Sequence, residues 1–379
     1  MLSQNLLQLR QQRGLSQAAV ANKACLSLPA YRNIEMGRAA PKAETIQRLA
    51  KALDVCLREL LAPNEALRAV RFRALKQMKR RGPILSDVKR WLTHFNELED
   101  LLDDHTLYAF DPLATELSRD EPGAKAVIAA HKARHMLGLD ADEPIRDICG
   151  LLESGGVKIY PIKLASEDFF GLSVAPQGGG PAIVVNTYDR ISVERWIFSA
   201  AHEFGHLLLH LDSFDADAAE EINAQEAEAN VFASHFLMPQ AAFKKEWQET
   251  YGLPLVVRVL KLKRIFRVSY RTVLYRLIEC EEYSGTLWRD FQSAYRRLHG
   301  KTLLKSDEPE ALSADNFLAS APEFRHAQEP AQLDPYDFVE NRLWRLVRKG
   351  VESGRISLSY GAEVLGLRLN QMRQIVAAW

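Results

Sequence analysis

The chain has 379 residues, more than one hydrophobic core usually organises, so two or three domains are expected. Lys plus Arg and Asp plus Glu are both 49, and this balance excludes a global attraction to nucleic acid or membrane, so any DNA binding has to be local. The four cysteines, Cys25, Cys56, Cys149 and Cys280, are scattered without a CxxC pair, which argues against a disulfide framework or a thiolate zinc site and fits a reducing cytoplasm. With no basic, apolar leader and no run of about eighteen apolar residues, a soluble, unexported protein is expected.

Residues 1–62 carry apolar positions at helical spacing (Leu6, Leu9; Val20, Ala21; Ile34; Ile46, Leu49, Leu53), punctuated by Gly14 and Gly37. Residues 63–121 read as a charged, mostly helical connector that the run Lys79 to Pro83 breaks into two pieces. From about 122 the pattern is mixed: helices through 124–137 and near 145–153, a strand candidate GVKIYPI, and two short strands within GLSVAPQGGGPAIVVN. A long helix over about 192–211 follows, then an acidic loop over 212–221 and a helix halted by Pro239. Beyond 280 lies a helical region with a flexible linker near 305–330 and a last helical unit over about 334–379. The fold class is α+β, mainly α, with an all-α N-terminal domain over 1–62, a central α+β domain over 122–280 and a C-terminal helical region over 281–379.

Ala201 to His210 reads AHEFGHLLLH, an HExxH inside an apolar, helical stretch. Residues four apart share one helix face, so His202 and His206 can aim imidazole nitrogens at one ion while Glu203 projects beside it as general base. Zinc held by three protein ligands keeps a position for water, whose pKa it lowers to roughly 7. The third ligand offered is Glu226 on the next helix, with Asn230 one turn on as a hydrogen-bond partner for a ligand histidine. The alternative spacing with a third histidine would need Gly at 209 and His at 212, where the chain has Leu209 and Asp212. Glu228 would fall about 200° around the helix from Glu226. His131 and His135, also four apart, lack an acid between them and read as helix-surface residues; His210 and His235 read as histidines near the site rather than ligands. The strand Ile183-Val184-Val185-Asn186 reads either as core or as a sheet edge on which Val184, Val185 and Asn186 pair with an extended substrate.

The HExxH helix RWIFSAAHEFGHLLLH, the IVVN strand, Glu226 in EAEANVFASHFLMP and the stretch through Asn230 to Pro239 together resemble the ImmA/IrrE family of zinc metallopeptidases, over roughly residues 122–280. The resemblance implies a gluzincin-like zincin domain, one Zn2+ per chain and endopeptidase action on a transcriptional repressor, often under stress or DNA damage. VSYRTVLYRLIE, residues 268–279, shares it, and Tyr270, Arg271, Tyr275 and Arg276 are candidate transition-state donors beside an amphipathic-helix reading.

In residues 9–60, Ser16 and Ser27 can each cap a helix and Gly37 can end one, the spacing of a helix-turn-helix whose second helix, Leu28 to Ile34, would enter a major groove. Ser16-Gln17, Ala21, Ile34-Glu35, Gly37, Pro41, Leu49-Ala50 and Leu53 resemble the Cro-type, or XRE, family. Nine Lys or Arg against four acids in residues 1–62 suit phosphate contacts. Tyr31, Arg32 and Asn33 are candidate base or phosphate contacts and Gln17 and Arg38 candidate phosphate contacts, although Leu28-Pro29-Ala30 is apolar where readers usually stand. Near the C-terminus, Ser357 before one helix and Gly366 in a turn again suggest a helix pair.

These features point to a cytoplasmic regulator that binds DNA through its N-terminal domain and cleaves a protein partner, a repressor encoded nearby, with zinc; the reading admits a homodimer. The alternative is a non-proteolytic XRE-type regulator or antitoxin whose zincin domain is a sensor or scaffold.

Overall fold

The computed structural model describes residues 2–55, 57–61, 67, 69–74, 81–117, 124–214, 222–280, 286–304, 307–310, 333, 335, 338–339 and 341–379. Lys79 and Arg80 of the basic run, 215–221 of the acidic loop and most of the linker near 305–330 lie outside the described residues. The chain divides into two compact units, residues 1–67 with 79–89, and residues 68–78 with 90–379. No helix of the described residues is long and apolar enough to cross a membrane.

Besides the start of a helix that begins at Arg81, the described residues of the first unit form the short helices α1 (Leu2–Gln12), α2 (Gln17–Lys23), α3 (Leu28–Glu35), α4 (Ala43–Leu53) and α5 (Leu57–Leu61). The expected caps form: Ser16 Oγ accepts from the Ala19 amide at 3.1 Å and Ser27 Oγ from the Ala30 amide at 3.3 Å. Each satisfies a backbone donor that the first helical turn leaves unpaired. Gly37, at φ +70°, takes the left-handed conformation that turns the chain after α3. Leu6, Val20, Tyr31, Leu49, Leu53 and Leu60 are fully buried between the helices.

The second unit holds a four-stranded sheet, β1 (Val70–Ala74), β2 (Lys158–Ile162), β3 (Phe169–Val174) and β4 (Ala182–Asn186), in the spatial order β1-β3-β4-β2. β1 and β4 both run antiparallel to β3, and β2 runs parallel to β4. Two expectations are corrected here. The first piece of the 63–121 connector contains the strand β1, while Gly82 and Pro83 open the helix α6 (Arg81–Leu102), whose first turn has no use for the proline's missing N–H. Second, β4 is not an edge: Val184, Val185 and Asn186 are buried and lie between β3 and β2. A continuous apolar run such as AIVV marks a strand covered on both faces, and that burial explains why the segment looked strand-like without being free to pair.

Along the chain, α7 (Asp111–Leu117), α8 (Lys125–Met136) and α9 (Ile148–Ser154) come between α6 and β2. After β4 come α10 (Val193–Leu209), α11 (Asn223–Leu237), α12 (Gln240–Glu249), α13 (Leu255–Phe266), α14 (Tyr270–Glu279) and α15 (Leu287–His299). α10 runs through the core, buried at every position from Ser199 to Leu209. α11 crosses it closely because Gly205 has no side chain: a Cβ there would stand 2.8 Å from the Phe232 ring. The C-terminal helices α16 (Arg342–Glu352), α17 (Leu358–Val364) and α18 (Leu369–Val376) follow. The buried Glu153 carboxylate accepts from the amides of Asn341 and Arg342 at 3.2 and 3.1 Å, where α16 begins. Glu99 on α6 meets Lys158 at 3.0 Å and Arg342 at 2.5 Å. The expected C-terminal helix pair is α17, capped by Ser357 Oγ, and α18, with Gly366 at φ +63° between them.

Candidate metal centre and DNA interface

α10 and α11 bring His202, His206 and Glu226 together. His202 Nε2 lies 3.1 Å from Glu226 Oε2, His206 Nε2 lies 3.1 Å from Glu226 Oε1, and the two Nε2 atoms are 3.0 Å apart. Their outer hydrogen bonds define the protonation. Asn230 Oδ1 can only accept, so His202 Nδ1 at 2.9 Å donates to it. Glu228 Oε2 accepts from His210 Nε2 at 2.9 Å, which leaves His210 Nδ1 as the acceptor for His206 Nδ1, also at 2.9 Å. Both ligand candidates therefore turn a bare Nε2 lone pair toward each other and toward a carboxylate.

Such a donor set is repulsive unless a cation sits among it. Ligands about 2.0–2.1 Å from a tetrahedral zinc stand about 3.3 Å apart, close to the separations found, so the residues fit the ion. Among the described residues these three form the metal-capable cluster of histidine, cysteine and acid side chains. Burial pushes His206 well below the ordinary imidazole pKa, which keeps it in the neutral, ligating form. Burial also acts to raise Glu226, but its close contacts with His202 and His206 outweigh it and hold the carboxyl well below the usual range, so it stays ionised.

Glu203 lies beside this cluster, under β3. Its Oε2 accepts from Ser173 Oγ at 2.8 Å, and Gly171 leaves it room: a Cβ at 171 would come 3.4 Å from Glu203 Cγ and 2.6 Å from the Val184 carbonyl oxygen. His202, Glu203 and His206 are all 0% exposed.

One residue at the centre was missed by reading the sequence. Arg71, on β1 and 8% exposed, donates from Nη2 to Glu226 Oε1 at 3.0 Å and from Nη1 to Gln225 Oε1 at 2.6 Å. It stands 155 positions from its partner, in a stretch read as connector, and no local pattern signals it. The His210–Glu228 pair was also not assigned this role, although His210 one turn after His206 was a usable signal.

The four candidate transition-state donors have partners of their own. Tyr270 is fully buried and stacks on Phe291 with ring centroids 5.3 Å apart. Arg271 donates to the Tyr270 hydroxyl at 3.1 Å and to the Leu304 carbonyl at 3.1 Å. Tyr275 is 66% exposed and meets Trp288 edge to face. Arg276 is buried against His235 and Glu279, nine residues along α11 from Glu226 and so about 13 Å away.

In the first unit, Arg32, Asn33 and Arg38 are exposed on or just beyond α3, as a groove-facing surface requires. Gln17 bridges α2 and α3: its amide nitrogen donates to Glu35, and its Oε1 accepts from Arg32 Nε at 3.2 Å. Arg10 pairs with Glu35 at 2.6 Å. Tyr31 is not available to DNA. It is fully buried, and its hydroxyl donates to Glu35 at 2.9 Å, because its position on α3 faces the core.

Comparison with known proteins agrees with both halves. Residues 152–278 match the IrrE N-terminal-like domain of the peptidase M78 type, and residues 6–60 match a helix-turn-helix domain. Over 60 residues, 16% of this chain, it is 38% identical to the HTH-type transcriptional regulator DdrOP3 of Deinococcus deserti, and that match covers 46% of the regulator's length. The chain thus joins an N-terminal helix-turn-helix domain to an IrrE-like domain of the peptidase M78 type.

Proposed function

We propose that this protein is a cytoplasmic transcriptional regulator whose second unit is a zinc-dependent endopeptidase acting on a protein partner, a repressor being the partner class that relief of repression calls for. The observation that carries the reading is the pair of bare Nε2 atoms of His202 and His206 facing the ionised Glu226, with Glu203 alongside. A zinc ion held by these three residues supplies Lewis-acid polarisation of a peptide carbonyl and a water acidified to a pKa of roughly 7.

This chain's residues do the rest. Asn230 and the His210–Glu228 pair fix which imidazole nitrogens carry the proton. Glu203, steadied by Ser173, is placed to take a proton from the attacking water and return it to the leaving amine. Arg32, Asn33 and Arg38 present the DNA-contacting surface, with Gln17 holding Arg32 in place.

Glu203→Gln tests the reading. The variant is expected to bind zinc as the wild type does while cleavage of the co-encoded repressor falls by about 10²–10⁴-fold. A wild type that loads zinc yet cleaves nothing, with an unchanged regulatory phenotype in Glu203→Gln, would instead support the sensor or scaffold reading.

A further inference from the structure

The peptide-binding edge beside the metal centre is defined by Glu203. That side chain lies against β3, hydrogen-bonded to Ser173 and next to the bare Cα of Gly171. Extended peptides bind sheets by adding a strand, with main-chain hydrogen bonds supplying affinity and alternate side chains supplying selectivity. A peptide that presents a bond to Glu203 in this way has to run along β3 on the side that β4 does not occupy. That side is already filled by β1.

The pairing is in register at the points that matter. Arg71 stands opposite Ser173 and Arg73 opposite Gly171, the two β3 residues that touch Glu203. Cross-strand partners point to the same face, so Arg71 projects toward the metal centre, where it clips onto Glu226 and Gln225. Meanwhile His202, Glu203 and His206 have no exposed surface. A water and a peptide cannot reach that general base in this arrangement.

We infer that β1 is the chain's own occupant of the peptide-binding edge, lying where the backbone of a substrate lies and held there by Arg71. A substrate segment enters by displacing it. The edge accordingly takes an extended segment with an arginine at the position opposite Ser173. β1 begins nine positions after α5 ends, so the occupant is the stretch of chain that directly follows the DNA-binding unit. This inference rests on the peptidase reading of the centre for its biological meaning, but the occupancy can be tested without cleavage.

The probe is a fluorescein-labelled peptide of residues 66–78, added to full-length, zinc-loaded protein and followed by anisotropy. In the wild type it competes with a tethered copy at millimolar effective concentration, and weak binding is expected. Arg71→Ala removes two hydrogen bonds from the occupant, one of them to a carboxylate, and should tighten peptide binding by about tenfold or more. Because Arg71→Ala also disturbs Glu226, a second variant pins β1 instead. Phe72→Cys with Leu172→Cys places a cysteine pair at directly opposed positions, a separation that a disulfide spans.

Oxidised, that variant should not bind the peptide; reduced, it should recover, with wild type oxidised in parallel as control. Amide exchange at residues 70–74 should accelerate when peptide is added to the wild type. Equal binding to wild type, Arg71→Ala and the oxidised pair overturns the proposal, as does bound peptide without faster exchange at 70–74. Displacement without any cleavage would sink the peptidase reading and leave the occupancy standing; cleavage by the oxidised pair would do the reverse.

Discussion

Near its start, α11 carries Glu226 and Asn230, and near its end His235, so one helix contributes to two histidine–carboxylate clusters about 13 Å apart. At the first, two imidazoles and a carboxylate converge with lone pairs inward. At the second, His235 Nε2 donates to Glu279 at 2.8 Å, and its Nδ1 accepts from Arg276 Nη2 at 3.0 Å. Arg276 also pairs with Glu279 at 2.6 Å. A guanidinium thus fills the place beside His235 that an ion fits at the other end. Burial and a histidine next to an acid are common to both clusters. Glu226 too meets a guanidinium, Arg71, at 3.0 Å, so what separates a candidate metal centre from a structural ion pair is whether the guanidinium also engages the imidazole.

The largest expected effect on this contrast is the loss of cleavage in Glu203→Gln, set out above. Next is Arg276→Met. It should leave zinc content unchanged but lower stability to urea by about 3 kcal/mol, the lower end for breaking a buried charge pair because Glu279 is half-exposed. The same variant has a pH signature. Burial acts to raise Glu279, but His235 and Arg276 hold it at about 2. A depressed carboxyl contributes stability above its unfolded pKa and loses it as pH falls through the folded one. The wild type should therefore keep this contribution until pH falls from the ordinary carboxylate range toward about 2, whereas Arg276→Met, left with only the His235 part, should show a smaller acid dependence. Zinc loss in Arg276→Met would erase the distinction between the two clusters.

A smaller effect is expected at the outer hydrogen bonds of the metal end. Glu228→Gln offers His210 a weaker and ambiguous acceptor, so the tautomer of His206 is no longer imposed. Zinc affinity should fall by about 10–100-fold in competition with a chelator, with the fold and thermal midpoint little changed. Unaltered affinity would show that His210 and Glu228 are packing residues. Smallest is Arg32→Ala in the first unit, which should weaken DNA binding and reduce the slope of log affinity against log salt by about 1.

Much of this was legible in the sequence because it is local. His202, Glu203 and His206 are spaced by one helical turn, Glu226 and Asn230 by another, and Ser16 and Ser27 mark helix starts by chemistry that needs only the next three residues. Where the reading failed, the cause is long-range. β4 carries the composition of a strand, but its place inside the sheet depends on its pairing with both β3 and β2. Arg71 reaches Glu226 because β1 pairs with β3, a contact between segments far apart in sequence. Tyr31 and the α14 residues were assigned by type, whereas the face each one presents is decided by tertiary packing. The strand β1, VRFRA, does alternate apolar and polar residues, but five residues are a short window, and the charged composition of residues 63–121 around them reads as a helical connector.

The central claim is that His202, His206 and Glu226 hold one ion, and the most direct measurement is zinc per chain by elemental analysis and competitive titration, for wild type and Glu226→Ala. The account predicts one zinc per wild-type chain, with X-ray absorption showing nitrogen and oxygen neighbours at about 2.0–2.1 Å, and a variant that loses the metal to a chelator. A wild type that binds no zinc, or a Glu226→Ala chain that binds it equally well, would contradict the assignment.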